Sequence, residues 1–292
     1  MEENQLIELN KKRSFDLLIT STFNFLRQEF KFIFKALLIY TLPVLLIIGI
    51  LSGINQYKSI SSIFSSNLMS MYSDMFTIEL FLTYPFMLLA YFLMVLIVYS
   101  YMKEYNEGGP QVTLERLNPR MKQYLGKFIL ALILVTAAVI AGSLLIVPGI
   151  YIAVTAGLIF PIIIFEDATV VDAFKKCFYL IKGFWWKTLG AALLLSLIVY
   201  VVSAIFSIPI SIIIGIEALH SAMGQESSEP SLAVMIIFGI FASLSYLFTA
   251  IPLVFYALQY FNLVERKEAA SLINKIENYG ERGNDQIGDL ST

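Results

Sequence analysis

Residues 127–187 read KFILALILVTAAVIAGSLLIVPGIYIAVTAGLIFPIIIFEDATVVDAFKKCFYLIKGFWWK. The 38 residues 128–165 of this stretch carry no charge, and Pro148-Gly149 interrupts their apolar run. A hydrocarbon core of about 30 Å is crossed by about 20 apolar residues in a helix. The run therefore predicts two membrane-spanning helices joined by a tight turn at Pro148-Gly149.

A basic amphipathic segment follows this predicted hairpin. Thr169 is a predicted N-cap, with Asp172 three residues later in a variant of the capping box. Apolar residues then recur at helical spacing: Val170, Ala173, Phe174, Cys177, Phe178, Ile181 and Phe184. The segment also carries the predicted membrane-surface basic residues Lys175, Lys176 and Lys182 and the predicted interfacial aromatic residues Trp185 and Trp186. The pattern predicts a helix that lies on the membrane surface.

Composition places the whole chain in a membrane. Hydrophobic residues make up 58% of the sequence and charged residues 14%, whereas about 25% of a soluble protein is charged. Further apolar runs cover 36–57, 80–102, 188–216 and 230–264. Together with the hairpin they predict an all-α, polytopic bundle of six transmembrane helices. We expect no cleavable leader, because the first apolar run begins late in the chain.

Each pair of predicted crossings follows an amphipathic segment. From Ser14, apolar positions spaced by three and four predict a surface helix that runs into the first crossing with at most a bend. Residues 113–124 predict a second one before the third crossing, which Asn118-Pro119 could break. This segment supplies the remaining predicted membrane-surface basic residues, Arg116, Arg120 and Lys122. The sequence thus predicts three units, each a cytoplasmic surface helix followed by two crossings.

The distribution of Lys and Arg predicts the orientation. The chain contains 20 of these residues, and in a six-helix arrangement Lys58 alone falls on the side opposite to all the others. Because cytoplasmic loops carry the excess of Lys and Arg, we expect both termini in the cytoplasm. An odd number of crossings would place the C-terminal cations outside.

The chain divides into three predicted regions. Residues 1–13 form a polar N-terminal tail, 14–264 the six-helix membrane domain, and 265–292 a cytoplasmic helical extension that ends in a disordered tail. The outer segment 58–75 combines serines with apolar residues at helical spacing. It is compatible either with a short helix at the outer interface or with a disordered loop.

Few residues are suited to chemistry. His220 is predicted on an outer loop, and Cys177 lies on the other side of the membrane, so neither activates the other. The central parts of the crossings contain no charged residue or histidine, which argues against ion-coupled transport. We therefore expect no enzyme activity, cofactor, metal site or nucleic-acid partner.

Small residues four positions apart predict close helix packing. The candidate helix-packing residues are Gly49 with Gly53, Ala138 with Gly142, and Ala153 with Gly157. These pairs fit contacts inside the bundle or contacts with a membrane-protein partner or a second copy of the chain. Five crossings also contain a proline, which predicts bends that serve either packing or gating: Pro43, Pro85, Pro161, Pro209 and Pro252.

Residues 147–190 carry a family resemblance. They read VPGIYIAVTAGLIFPIIIFEDATVVDAFKKCFYLIKGFWWKTLG, with PGIY, a later proline, an acidic pair and a final KGFWWK. This pattern resembles the YciC-like uncharacterised six-helix membrane proteins of bacteria. That group is related to the membrane domain of some glycerophosphodiester phosphodiesterases. The resemblance implies a six-helix fold in the bacterial cytoplasmic membrane. The catalytic barrel of the phosphodiesterases has no counterpart here, so their activity is not implied.

These patterns favour a non-enzymatic membrane protein that acts as a scaffold or accessory subunit. Its basic surface helices are expected to bind anionic lipid headgroups, with about 1 kcal/mol from each Lys or Arg near the surface. A second hypothesis is a passive transporter or binding protein for a lipid or another amphipathic molecule. An intramembrane enzyme is a third.

Overall fold

The computed structural model describes residues 7–64, 78–109, 112–223 and 231–269. Within these residues, six helical segments are long and apolar enough to cross a membrane, as the sequence predicts. The helices are α1 (Phe15–Phe64), α2 (Ile78–Gly108), α3 (Leu114–Ser143), α4 (Ile146–Ala156), α5 (Ile159–Glu166), α6 (Val170–Ile181), α7 (Trp185–Ala222), α8 (Leu232–Ser243) and α9 (Ala250–Val264). The described chain contains no strand. The all-α fold is therefore confirmed, and its six long apolar helices support a multi-pass membrane protein.

Helix α1 joins the first predicted surface helix directly to the first crossing, in agreement with the expectation of at most a bend between them. It is one continuous helix of 50 residues, which at 1.5 Å per residue is about 75 Å long. It passes through Pro43 and continues into the predicted outer segment as far as Phe64. Because no Gly, Pro or turn residue separates the amphipathic part from the apolar part, the chain has no local reason to break there. The rest of the outer segment, 65–75, lies outside the described residues.

Helix α3 likewise joins the second predicted surface helix to the third crossing. Asn118 and Pro119 lie inside the helix and do not end it. Separate surface helices before the first and third crossings are therefore not found. Only the third such segment, α6, is a helix of its own.

The turn of the central hairpin lies earlier than predicted. Leu144 and Leu145 separate α3 from α4, and Pro148 is the third residue of α4. The first turn of a helix accepts proline, because its N–H groups have no partner within the helix. Glycines then let the two helices meet closely: a Cβ on Gly142 would lie 3.1 Å from the Cα of Gly149.

The fourth crossing is made of two short helices. It bends at Gly157 and Leu158, between α4 and α5. A Cβ on Gly157 would lie 2.2 Å from Cε1 of Tyr256, so the glycine makes room for a ring on α9. Asp167 then ends α5 in the left-handed conformation, with φ of 52°.

Helix α6 begins as the sequence predicts. The Thr169 hydroxyl accepts a hydrogen bond from the Asp172 backbone N–H at 3.2 Å and donates one to the Asp172 carboxylate at 2.6 Å. Its other end lies beside the fourth crossing, where the rings of Phe178 and Tyr151 are 6.0 Å apart. Helix α6 therefore packs against the flank of the bundle, and its position on a membrane surface stays a prediction.

The sixth crossing is irregular at its centre. Helix α8 passes into a 3₁₀ segment, Leu244–Thr249, before α9 begins. Pro252 lacks the N–H that would bond to the carbonyl of Phe248, and its ring crowds that carbonyl, so a tighter turn precedes it. A π-helical turn, Glu265–Ala269, continues α9 as predicted. The predicted disordered tail lies outside the described residues.

The core forms around α1, α2 and α9. Helix α1 packs most extensively against α8 and α2. A Cβ on Gly49 would lie 2.5 Å from the Cα of Ile240, and one on Gly53 would lie 2.6 Å from the Cα of Ile236. Gly239 completes this contact, since a Cβ added there would lie 2.3 Å from the Gly49 carbonyl oxygen. The glycines therefore bring α1 and α8 backbone to backbone within one chain.

The other predicted packing residues have different surroundings. Ala138 is half-buried, whereas Ala153 is exposed on α4. Helices α3 and α7 lie at the periphery and leave large apolar side chains uncovered, among them Leu130, Ile133, Leu193 and Tyr200. Apolar surface of this kind is what a bilayer would cover.

Candidate functional site

Charged side chains from distant parts of the chain meet at one end of the bundle, which we call the polar end. The ammonium of Lys176 lies 2.8 Å from the carboxylate of Glu166 and 2.5 Å from that of Glu268. At the same end, Nε of Arg120 lies 2.6 Å from the carboxylate of Glu104. These contacts join the second, third, fourth and sixth crossings with α6. The loops that the sequence assigns to one side of the membrane therefore do lie together.

The N-terminal segment joins the polar end as well. Of the predicted polar tail, the structure describes residues 7–13, and Leu9 and Arg13 among them are buried. The Ile7 backbone N–H donates to the Tyr105 hydroxyl at 3.2 Å. At the opposite end of the bundle, Lys58 pairs with Glu79 at 2.6 Å. Both ends of the described chain are thus on the same side, as an even number of crossings requires.

The six predicted membrane-surface cations fall into two groups. Arg120 and Lys176 form ion pairs within the protein. Burial alone would lower the pKa of Lys176, but the hydrogen bonds and charges of Glu166 and Glu268 outweigh it and raise the pKa. The other four are exposed and remain accessible to headgroups: Arg116, Lys122, Lys175 and Lys182.

The two tryptophans also differ from each other. Trp186 is 77% exposed, as expected for a residue at the membrane interface. Trp185 instead stacks on Tyr151 with ring centroids 5.4 Å apart. Its indole N–H is buried and has no hydrogen-bond partner among the described residues.

Cys177 and His220 lie on two different helices, α6 and α7. Cys177 is fully buried on α6, and burial raises the pKa of its thiol to about 12. A protonated, covered thiol is a poor nucleophile. His220 lies in the last turn of α7 rather than on a loop. In the described part of the chain, no three His, Cys, Asp or Glu residues come together as metal ligands would.

An apolar groove opens on the side of the bundle, and we call it the lateral groove. It lies between α1 and the junction of the 3₁₀ segment with α9, and its volume is about 260 Å³. Its walls include Phe23, Phe30, Leu37, Phe248 and Ile251. Arg27 is the charged residue at its edge. The groove offers apolar contacts with a cation beside them.

A second cavity of about 200 Å³ lies at the polar end, and we call it the cationic pocket. It is formed by the first residues of α1, the first residues of α7 and the last turn of the sixth crossing. Its lining includes three cations, Arg13, Lys187 and Arg266, and the amides Gln259 and Asn262.

Hydrogen bonds hold the polar wall of this pocket in place. The Asn262 side-chain oxygen accepts from the Arg13 backbone N–H at 2.8 Å and from Nε of Arg266 at 3.0 Å. The Asn262 amide donates to Gln259 at 3.0 Å, and Gln259 donates to the Thr188 hydroxyl at 2.7 Å. The network ties the start of the chain to the end of the sixth crossing. It fixes Arg266 against the pocket.

Sequence reasoning did not identify the cationic pocket. Local spacing gave one signal, because Gln259, Asn262 and Arg266 are three and four residues apart and so share a face of a helix. No local signal brings Arg13 and Lys187 to that face, since they lie far away in the chain.

Comparisons with models of known protein families, with curated proteins and with solved structures find no match to this chain. The resemblance to the YciC-like proteins therefore rests on the residues quoted for it and stays a prediction.

Proposed function

We propose that this protein is a non-enzymatic scaffold or accessory subunit of a membrane complex in the bacterial cytoplasmic membrane. In this proposal it belongs to the YciC-like group, both termini face the cytoplasm, and it contacts anionic lipid as well as a protein partner. The observation that carries the proposal is the lateral groove, an apolar surface that opens sideways from an otherwise packed core.

The dimensions of the groove favour a partner's side chains over a whole small molecule. Ligand pockets have volumes of about 300 to 1,000 Å³, and the groove, at about 260 Å³, is smaller and open. Phe30 on its rim is 52% exposed and stacks on Phe34, with ring centroids 5.2 Å apart. Two stacked aromatic rings beside an apolar trough are suited to receive side chains from another transmembrane helix.

The charges beside the groove favour lipid contact as well. Arg27, Lys31 and Lys35 are exposed and follow one another at intervals of four along α1, so they share a face of that helix. A row of cations next to an apolar surface attracts anionic headgroups, with about 1 kcal/mol per residue.

Affinity purification in mild detergent, followed by mass spectrometry of bound proteins and lipids, tests the proposal. Phe30→Ser removes the exposed rim of the groove, and Tyr200→Ser is its matched control, because Tyr200 is 71% exposed and does not line the groove. We expect a protein partner with the native chain and with Tyr200→Ser, and a loss of at least half of it with Phe30→Ser. Equal recovery with both variants would contradict a role of the groove.

A passive binding protein or conduit for lipids is the second candidate. The break at Gly157-Leu158 and the 3₁₀ segment within the sixth crossing favour it, because discontinuous membrane helices form the binding sites of many transporters. Recovery of one stoichiometric lipid without a protein partner would favour this function. Accelerated lipid movement between leaflets in proteoliposomes would support it further.

A further inference from the structure

We propose that the cationic pocket binds a phosphate group, carried either by the headgroup of an anionic phospholipid or by a soluble phosphate compound. The inference goes beyond the proposed scaffold function. It rests on residues that do not line the lateral groove.

None of the three cations of the pocket forms an ion pair with a carboxylate. In the described ranges, no Asp or Glu oxygen lies within 4 Å of the charged nitrogens of Arg13, Lys187 or Arg266. Two partly buried cations of the polar end, Lys176 and Arg120, each contact two carboxylates instead. A buried charge is costly unless an opposite charge lies close to it. The pocket therefore combines cations that an anion would stabilise.

Arg13 supplies a fixed positive charge. Its side chain is buried, and its guanidinium donates to the Ser21 hydroxyl at 3.2 Å and to the Leu9 carbonyl at 2.9 Å. It also donates to the carbonyls of Lys11 and Glu8. These neutral acceptors hold the guanidinium in position and leave its charge without a partner anion.

Arg266 and Lys187 supply the hydrogen-bond donors. Nε of Arg266 donates a hydrogen bond to the Asn262 side-chain oxygen at 3.0 Å, and its Nη2 donates one to the Arg13 carbonyl at 2.5 Å. The Arg266 guanidinium lies 5.6 Å from the centroid of the Phe184 ring. Its Nη1 has no acceptor among the described residues. Lys187 is exposed at the mouth of the pocket. An ammonium and a guanidinium edge that converge on one cavity are the donors that phosphate oxygens prefer.

The backbone adds to this positive character. Ser14 and Phe15 at the start of α1 and Phe184 and Lys187 at the start of α7 line the same cavity. The first N–H groups of a helix have no partner within it and carry partial positive charge. The first turn of α7 contains no acidic residue that would satisfy them.

Two acidic residues near the pocket oppose anion binding only in part. Glu8 is close enough to Arg13 to raise the pKa of that guanidinium, although burial lowers it more strongly. Asp16 accepts a hydrogen bond from the Ser14 hydroxyl at the surface. Asp16 also takes up backbone N–H groups at the start of α1. The pocket retains three cations and the start of α7, whose first turn has no acidic residue, and the cavity of about 200 Å³ accommodates a phosphate.

Binding to the purified, delipidated full-length chain in detergent tests the proposal, measured by calorimetry with three probes. The probes are dioctanoyl phosphatidylglycerol, dioctanoyl phosphatidylcholine and inorganic phosphate. Lys187→Gln removes one donor at an exposed position, and Lys58→Gln, an exposed cation at the opposite end of the bundle, is the matched control. We expect one site per chain. Its affinity should fall about fivefold with Lys187→Gln and stay unchanged with Lys58→Gln, as one surface cation contributes about 1 kcal/mol.

The probes distinguish the two sources of the phosphate. Tighter binding of phosphatidylglycerol than of phosphatidylcholine, with no binding of inorganic phosphate, assigns the site to an anionic headgroup. Binding of inorganic phosphate that depends on Lys187 assigns it to a soluble compound. Equal weakening by both lysine variants, or no binding of any probe, overturns the proposal. Phe30→Ser should leave phosphate binding in the cationic pocket intact. A negative result for partner binding at the lateral groove can therefore be distinguished from a negative result for phosphate binding.

Discussion

Single glycines determine how closely α1 and α8 approach each other. Gly49→Val would place a branched side chain where even a Cβ meets the Ile240 backbone at 2.5 Å. The helices would have to separate, and we expect a loss of about 3 kcal/mol in the free energy of unfolding, because overpacking a tight contact is costly. Thermal unfolding in detergent measures this effect as a lower Tm.

Gly126→Ala is the control for that experiment. Gly126 lies within α3, and a Cβ there would meet no atom within 4 Å. Alanine should therefore leave stability unchanged or raise it by about 1 kcal/mol through its higher helix propensity. Equal destabilisation by both variants would mean that α1 and α8 do not touch at Gly49.

The single cysteine reports on the packing of α6. Because Cys177 is fully buried and its thiol has a pKa of about 12, the folded protein should react with maleimide at least tenfold more slowly than the protein unfolded in SDS. At pH 9 the folded form should still react far more slowly than the unfolded form, because only a very small fraction of a thiol with a pKa of about 12 is ionised at that pH. Rapid labelling at pH 7 would show that α6 is detached from the bundle.

Among the helices, α6 is the one whose start depends most clearly on a single cap. Thr169→Ala removes the hydrogen bond to the Asp172 N–H and should cost about 1 kcal/mol. The loss should appear as faster amide hydrogen exchange in α6, with α9 unaffected. Thr113→Ala is a matched control, because Thr113 precedes α3 without a side-chain capping bond. Similar effects of both substitutions on hydrogen exchange would contradict a capping role of the Thr169 side chain.

The sequence predicts some elements well because their determinants are local. The cap at Thr169 depends on residues three apart, and the crossings depend on the length of apolar runs. The junction within α1 is also predictable, since both the 14–35 region and the first crossing favour helix and nothing between them favours a turn. The continuity of α3 is not, because Asn118-Pro119 resembles a helix break and yet lies inside the helix. The hairpin turn was misplaced because Pro148 fits the first turn of α4 as well as it fits a loop.

For the chain as a whole, the orientation in the membrane is the main prediction to test. In a Cys177→Ala background, Lys58→Cys should react with a membrane-impermeant maleimide in intact cells, because Lys58 lies at the end opposite to Arg13 and Arg266. Lys122→Cys, at the polar end, should react only after the cells are lysed. The opposite pattern would reverse the orientation without changing the arrangement of the helices.

The cationic pocket also belongs to the chain as a whole, which is why hydropathy and spacing do not reveal it. Arg13 and Asn262 are 249 positions apart and yet share a hydrogen bond. The composition of either segment alone indicates only a polar helix end. Their meeting follows from the way in which the first and last crossings pack, and no short-range pattern encodes that contact.

The pairing of the first crossing with the last has a consequence for biosynthesis. When α1 emerges from the ribosome and enters the bilayer, its principal neighbour α8 has not yet been translated, and at about 5–20 residues per second the wait is on the order of ten seconds or more. During that interval the glycine face of α1 is open to lipid or to a membrane chaperone. A chain released before α8 is complete would keep that face exposed and become a substrate for quality-control proteolysis.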